Sequence, residues 1–223
     1  MSTWTSSAAC AGALALALSG CAAGSSIGQG DAGEPVRQVS VARGTIEVTG
    51  PPGYCIDPAA LRDGPRDSFV LLASCAILGG DALIGAEPAI LTVTVSEPNP
   101  EAAPPRAADL AAAVGGARVL DTQEAGPLSL VHLDGGGDAL LPGGDSRHWR
   151  GATRLGDRVI GLAAYAPEGS RLAGPEGGAL LAELSNRVRQ VEPPEAEAAS
   201  GDSAPEDTAR PRLGAGWLRG LFN

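Results

Sequence analysis

The sequence contains no lysine, and all sixteen basic residues among its 223 are arginine. A phosphate-binding P-loop, a Schiff-base enzyme and a serine–lysine catalytic pair each require a lysine, so these three classes are excluded. The net charge of −10 argues against a nucleic-acid partner, because binding to phosphates needs a basic surface.

Histidine is also scarce, with two residues in the chain. His132 lies in an alternating apolar segment, which indicates a structural or a surface role rather than a catalytic one. His148 follows the triplet Gly-Asp-Ser at 144–146, which resembles the nucleophile block of GDSL-type esterases. That resemblance implies a hydrolase using His148 and Asp145, but no downstream Asp-x-x-His motif follows and the triplet recurs at 201–203. The sequence therefore favours a protein that is not an enzyme, with the hydrolase as the weaker alternative.

Long apolar runs are missing too, apart from residues 8–18 near the N-terminus. This run is too short to span a bilayer and is typical of a signal-peptide core. It leads into Leu-Ser-Gly-Cys at 18–21, which resembles the lipobox of bacterial lipoproteins. The resemblance implies that residues 1–20 are removed and that Cys21 carries lipid. Ala22 then implies a location in the outer membrane, facing the periplasm.

Two of the four cysteines remain after this processing. Cys10 leaves with the signal peptide and Cys21 is acylated, so Cys55 and Cys75 are left in an oxidising compartment. We expect them to form a disulfide that closes a loop of about 20 residues. By lowering the chain entropy of the unfolded state, it would stabilise the fold by about 3 kcal/mol. A redox or metal pair is the alternative, but it lacks CxxC spacing and a nearby histidine.

The alternation of apolar and polar residues predicts strands separated by few helices. The predicted strands are residues 39–41, 46–48, 69–73, 89–95, 118–121, 128–133, 149–155 and 158–165. The first two and the last two of these form predicted hairpins, which turn at Arg43-Gly44 and at Gly156-Asp157. The predicted helices begin at Asp57-Pro58, span residues 106–114 and span residues 176–191 after Pro175. The fold class is therefore α+β, a mostly antiparallel sheet with two or three helices packed against it and one disulfide.

A glycine-rich loop, residues 134–145, carries three aspartates. Asp134, Asp138 and Asp145 could ligate calcium, which accepts flexible oxygen ligands. Their spacing matches no calcium motif, so a solvated loop is the favoured interpretation. The sequence predicts no cofactor and no metal.

The composition divides the chain into five parts. Residues 1–20 are the signal peptide, 21–35 a flexible tether, 36–192 a single domain, 193–209 a disordered acidic spacer and 210–223 a short amphipathic segment. We expect this last segment to dock on an envelope protein or on the membrane surface; the alternative is that it folds back on its own domain or frays, as chain termini commonly do. The residues expected to dock are Arg210, Arg212, Trp217, Leu218, Arg219, Leu221 and Phe222.

Two longer blocks carry a family resemblance. Together with the lipobox, GYCIDP at 53–58 and FVLLASC at 69–75 resemble a group of uncharacterised Gram-negative lipoproteins, which implies no particular activity. The order of elements is also similar to PsbP-like sandwiches. The expected function is that of a lipid-anchored, non-enzymatic envelope protein with an interaction or accessory role. The alternatives are a small-molecule binding module and the hydrolase described above.

Overall fold

The computed structural model describes residues 35–79 and 85–192, which hold eleven strands and two α-helices. The strands are β1 (Gln38–Val41), β2 (Ile46–Thr49), β3 (Tyr54–Ile56), β4 (Arg62–Asp63), β5 (Ser68–Ser74), β6 (Ile90–Val95), β7 (Arg118–Ala125), β8 (Leu128–Asp134), β9 (Arg147–Leu155), β10 (Arg158–Tyr165) and β11 (Val188–Gln190). The helices are α1 (Ala107–Ala113) and α2 (Pro175–Ser185). The predicted α+β class, with a mostly antiparallel sheet and a disulfide, is confirmed. Neither described helix has the length and hydropathy of a membrane span.

The strands form two sheets. The large sheet has the order β3-β5-β6-β10-β9-β8-β7, and β4 pairs with the start of β5. The small sheet has the order β1-β2-β11. Each of these pairings, among the residues described, is antiparallel. The hairpins that link β1 to β2 and β9 to β10 were both predicted from the alternation of their side chains.

The first face of the large sheet carries the main core. In β6 the side chains of Leu91, Val93 and Val95 are fully buried on this face, because successive residues of a strand point to opposite sides. The small sheet and α2 pack against them, and contribute Val41, Ile46, Val48, Leu181, Leu184 and Val188 to the same cluster.

The second face is covered over part of its width. Helix α1 packs against β7, β8 and β9, and Leu110 is buried there with Val131 and Leu133. Two side chains of the sheet hold the start of this helix. Glu124 accepts a hydrogen bond from the Ala107 N–H at 2.9 Å, and Ser129 donates to the Pro105 carbonyl at 2.8 Å.

The part of the second face beyond α1 is formed by β5 and β6. Four half-buried side chains lie at its centre, Leu71, Ile90, Thr92 and Thr94, while the half-buried Phe69 and the buried Ala73 flank Leu71 along β5. We call these four residues the open face. The strand registers place Leu71, Thr92, Ala163 and Arg150 side by side across β5, β6, β10 and β9. Arg150 therefore stands between the open face and the part of the sheet that α1 covers.

The helix predicted at Asp57-Pro58 is wrong. Residues 58–60 form a turn, and the chain continues into β4. Asp57 Oδ1 accepts a hydrogen bond from the Ala59 N–H at 2.9 Å, two residues on. An aspartate that bonds its own backbone at this separation closes a turn, and Gly64 lies too close behind for a helix to form.

The predicted end of the last helix is also wrong. Helix α2 begins at Pro175 as expected but ends at Ser185. Val188, which falls within the predicted helix 176–191, lies instead in β11 and pairs with Val48 of β2. A valine satisfies either pattern, and its β-branched side chain favours the strand once a neighbouring strand is present.

Candidate functional site

The predicted docking and lipidation residues cannot be compared with the fold. Cys21 lies outside the described residues, as do the signal peptide, nearly all of the tether, the acidic spacer and the segment 210–223. The cysteine pair is within the fold. Cys55 of β3 and Cys75, next to the end of β5, form a disulfide with their Cα atoms 4.8 Å apart, and both are buried.

The Asp145 carboxylate is bonded on both oxygens. Oδ1 accepts from the backbone N–H of Arg147 at 2.9 Å and from its Nε at 3.0 Å. Oδ2 accepts from the Arg147 guanidinium at 2.7 Å and from the Gly169 N–H at 3.3 Å. These hydrogen bonds, led by the one from the Arg147 side chain, hold the pKa of Asp145 well below its ordinary value. The carboxylate thus ties the start of β9 to the turn after β10.

His148 is likewise bonded on both ring nitrogens. Nδ1 lies 3.3 Å from the carbonyl oxygen of Ser146, which can only accept, so Nδ1 carries the proton. Nε2 then has a lone pair, and it accepts from Arg150 Nε at 3.2 Å. The ring is 1% exposed and stacks on Tyr165, with centroids 5.3 Å apart. Burial, followed by the charge of Arg150, lowers the pKa of His148 to about 4. His148 is therefore neutral at pH 7.

These contacts bear on the hydrolase alternative. His148 and Asp145 direct their polar atoms to different partners, so neither orients nor activates the other. The Ser146 hydroxyl donates to Asp134 at 2.8 Å rather than to an imidazole. The nucleophile–base–acid chain that a serine hydrolase needs is not assembled by Ser146, His148 and Asp145.

Two of the three aspartates of the glycine-rich loop, Asp134 and Asp145, are paired with arginines. Asp134 pairs with Arg118 at 2.6 Å, and Asp145 with Arg147. In the described part of the chain, no three histidine, cysteine or acidic side chains converge in a way that could hold a metal ion. A carboxylate that is already paired with a guanidinium is a poor calcium ligand, because the cation would have to displace that partner.

His132 has a structural setting on the first face. Its ring lies parallel to the Trp149 indole, with centroids 4.5 Å apart. His132 Nε2 donates to the Ala173 carbonyl at 2.9 Å, and Trp149 Nε1 donates to the Gly174 carbonyl at 2.7 Å. The two rings thereby fix the residues immediately before α2 against the sheet. Of the two roles predicted for His132, structural or surface, this geometry agrees with the structural one.

Arg150 was missed by reasoning from the sequence. It lies on β9, two residues after His148, so both side chains point to the second face. A hydrogen bond also joins its side chain to Tyr165, whose pKa is raised by burial. The alternation of β9 could have indicated that Arg150 and His148 share a face. The neighbouring Tyr165 depends on the register between β9 and β10, which the sequence does not show.

Comparison with known proteins gives similarity at the level of fold. No family model and no curated protein matches the chain. The structure is similar to the Ran-binding protein Mog1p of Saccharomyces cerevisiae, at 13% identity over 70% of this chain and 95% of that chain, with a TM-score of 0.42. It is similar to cyanobacterial PsbP (CyanoP) of Synechocystis sp. PCC 6803, at 14% identity over 70% and 93% of the two chains, with a TM-score of 0.40.

A third similar structure comes from Bacteroides thetaiotaomicron, at 8% identity and a TM-score of 0.37. The match covers 71% of this chain and 49% of that one, so it spans about half of the Bacteroides protein. The expected resemblance to PsbP-like sandwiches thus has a counterpart among solved structures, for the fold alone. Similarities this weak support no argument about function.

Proposed function

We propose that this protein is a lipid-anchored, non-enzymatic protein of the cell envelope that acts by binding a partner. The lipobox at 18–21 supports the anchor, and the segment 210–223 supports the partner. The geometry of the described domain adds one observation. The side chains that could have served a hydrolase, Ser146, His148 and Asp145, are each engaged in bonds that hold the fold together.

The anchor is tested by changing the acylated residue. Cys21→Ser should remove the lipid and shift the protein from the membrane fraction to the soluble periplasmic fraction, because the acyl chains supply the membrane affinity. Cys10→Ser is the matched control, since that residue lies within the predicted signal peptide and the variant should fractionate like the natural protein. An unchanged membrane fraction for Cys21→Ser would exclude a lipid anchor at this residue.

The partner is tested by deleting residues 210–223. The last residues combine arginines with Trp217, Leu218, Leu221 and Phe222 at helical spacing, so they can present one apolar side. The deletion should weaken capture of envelope proteins or binding to anionic vesicles, and should leave the melting temperature of the domain nearly unchanged. A fall of many degrees would show that these residues belong to the core of the domain.

A small-molecule binding role is the second candidate, and the open face favours it. Leu71, Ile90 and the two threonines offer apolar area with hydroxyl groups, and Arg150 lies two strands away from Thr92, beyond Ala163 of β10. Such a mixture of apolar surface and a few polar groups is typical of ligand sites. Leu71→Arg should abolish binding of a ligand that uses this surface. It should leave capture through residues 210–223 intact, which separates the two candidates.

A further inference from the structure

Most arginines of the described domain are bonded within the fold. Carboxylates pair with Arg118, Arg147, Arg171, Arg187 and Arg189, and backbone carbonyls accept from Arg154 and Arg158. Within the described residues, Arg43, Arg62 and Arg66 form no ion pair and no side-chain hydrogen bond, and all three are exposed. The Arg62 guanidinium lies over the Phe69 ring, 5.6 Å from its centroid. These three charges can therefore bind an anionic group that lies outside the described residues.

One hydrogen bond brings the three arginines to the same corner of the domain. Asp63 Oδ1 accepts from the Ala42 N–H at 2.8 Å, which joins the turn after β1 to β4. Arg43 directly follows Ala42, and Arg62 directly precedes Asp63. Arg66 lies in the short connection from β4 to β5. We call Arg43, Arg62 and Arg66 the arginine cluster.

The described domain ends beside this cluster. β1 and β11 both run antiparallel to β2 and therefore point in the same direction, and Val41 and Gln190 both pair with Ile46. The Val191 N–H then donates to the Thr45 carbonyl at 2.9 Å. The chain thus leaves the domain at the turn that carries the first arginine of the cluster.

The sequence that follows is complementary to the cluster in charge. Residues 193–209, the acidic spacer, contain no basic residue, and their acidic residues are Glu195, Glu197, Asp202, Glu206 and Asp207. A chain extends by at most about 3.5 Å per residue, so Glu197 lies within roughly 21 Å of Val191. Covalent attachment next to the cluster gives the spacer an effective concentration on the order of millimolar there.

We propose that the acidic spacer docks on the arginine cluster of its own domain, through ion pairs between its carboxylates and the guanidinium groups. A guanidinium can bind both oxygens of one carboxylate, which favours arginine at such a contact. Exposed ion pairs add little stability, so the contact changes the position of the spacer and leaves the melting temperature nearly unchanged. The docked spacer would also place residues 210–223 relative to the domain. This last consequence rests on the proposed partner role of that segment, whereas the contact itself does not.

The test is nuclear magnetic resonance of the full-length protein labelled with ¹⁵N. The natural chain is compared with a variant whose spacer is uncharged, made by Glu195→Gln, Glu197→Gln, Asp202→Asn, Glu206→Gln and Asp207→Asn. The amide signals of residues 42–45 and 62–67 should shift, while those of the rest of the domain stay in place. High salt should move the natural signals toward those of the variant, because it screens exposed charges. Dilution should not move them, because the contact lies within one chain.

Variants of the cluster give the reciprocal test. Arg43→Gln, Arg62→Gln and Arg66→Gln together should move the amide signals of residues 195–207 to the positions seen in a free peptide of residues 192–209. Arg43→Gln alone should move them part of the way. Arg37→Gln is the matched control, because Arg37 is exposed and precedes β1 at the end opposite to Arg43. This control removes the same charge and should leave the spacer signals unchanged.

Three outcomes would overturn the proposal. The signals of residues 42–45 and 62–67 could ignore the loss of the spacer charges, which would show that the spacer does not touch the cluster. Their positions could depend on protein concentration, which would assign the contact to a second copy of the chain. They could respond to phosphatidylglycerol vesicles and not to the spacer variant, which would make the cluster a site for anionic lipid. Deleting residues 210–223 removes no residue of the spacer or the cluster, so a failure of the proposed partner role would be seen separately.

Discussion

The turn between β1 and β2 concentrates backbone strain in single residues. Ala42 and Arg43 have φ angles of 56° and 61°, a region that side chains other than glycine rarely adopt, and Gly44 follows with 78°. Each such residue costs roughly 1 kcal/mol. The sequence indicated a turn at Arg43-Gly44, and the structure places the left-handed backbone one residue earlier as well.

Arg43→Gly should stabilise the protein by about 1 kcal/mol, because glycine adopts a positive φ without steric cost. Arg43 is exposed, so little packing is lost. Urea denaturation followed by circular dichroism measures the free energy of unfolding. Arg66→Gly is the matched control, since Arg66 is also exposed and is not among the residues with positive φ. A stabilisation of equal size in both variants would refute the explanation from strain.

Helix α2 depends on the absence of a side chain at one of its positions. A Cβ atom at Gly177 would overlap the carbonyl oxygen of Leu172 and would lie 2.7 Å from Trp149 Cδ1. The indole is fixed in turn by its hydrogen bond to Gly174 and by the His132 ring. Glycine at this position therefore lets the helix lie flat on the Trp149 ring.

Gly177→Ala should lower the free energy of unfolding by about 2 kcal/mol. Alanine improves helix propensity by roughly 1 kcal/mol, but the overlap with backbone costs more than that gain. Gly115→Ala serves as the comparison, because nothing lies within 4 Å of a Cβ placed there. Chemical denaturation measures the free energy of unfolding of both variants. A stabilised Gly177→Ala protein would contradict the close packing described for α2.

The elements differ in how far their sequences determine them. The hairpin of β9 and β10 was predicted because alternation and a Gly-Asp turn act locally and agree with each other. The predicted start of helix α2 was correct, because Pro175 gives a local signal, but the predicted end was wrong. Val188 pairs with Val48, far away in the sequence, and no local pattern reports such a partner. The tautomer of His148 could not be predicted from the sequence either, because it depends on the Ser146 carbonyl and the Arg150 side chain together.

The domain as a whole should lose stability in acid through His148. Its pKa is about 4 in the fold and 6.5 in an ordinary setting, so between these values the unfolded chain binds a proton that the fold does not. Stability is therefore fully present above pH 6.5 and falls as the pH decreases toward 4, by up to about 3 kcal/mol. Equilibrium unfolding at several pH values measures this loss, and His148→Gln should abolish most of it.

The free energy of unfolding should fall a second time at lower pH, when Asp145 is protonated. The pKa of Asp145 is held below its ordinary value of 3.8, so its contribution is present above that value and disappears as the carboxylate is protonated below it. Asp145→Asn should remove this second step while leaving the step from His148. For the first step, a free energy of unfolding that stays constant from pH 7 to pH 4 would contradict the assignment of His148 as a buried, neutral residue.

The pairing of β2 with β11 also sets an order of events during biosynthesis. Glu47 of β2 and Arg189 of β11 form an ion pair across 142 residues of sequence. A ribosome, or an export channel that admits the chain from its N-terminus, delivers β2 early and β11 near the end of the described domain. The small sheet cannot close until residue 190 has emerged, and contacts this distant in sequence form slowly. Closure of the small sheet is thus coupled to synthesis of residues 188–190, whereas the strands of the large sheet are all available once residue 165 has emerged.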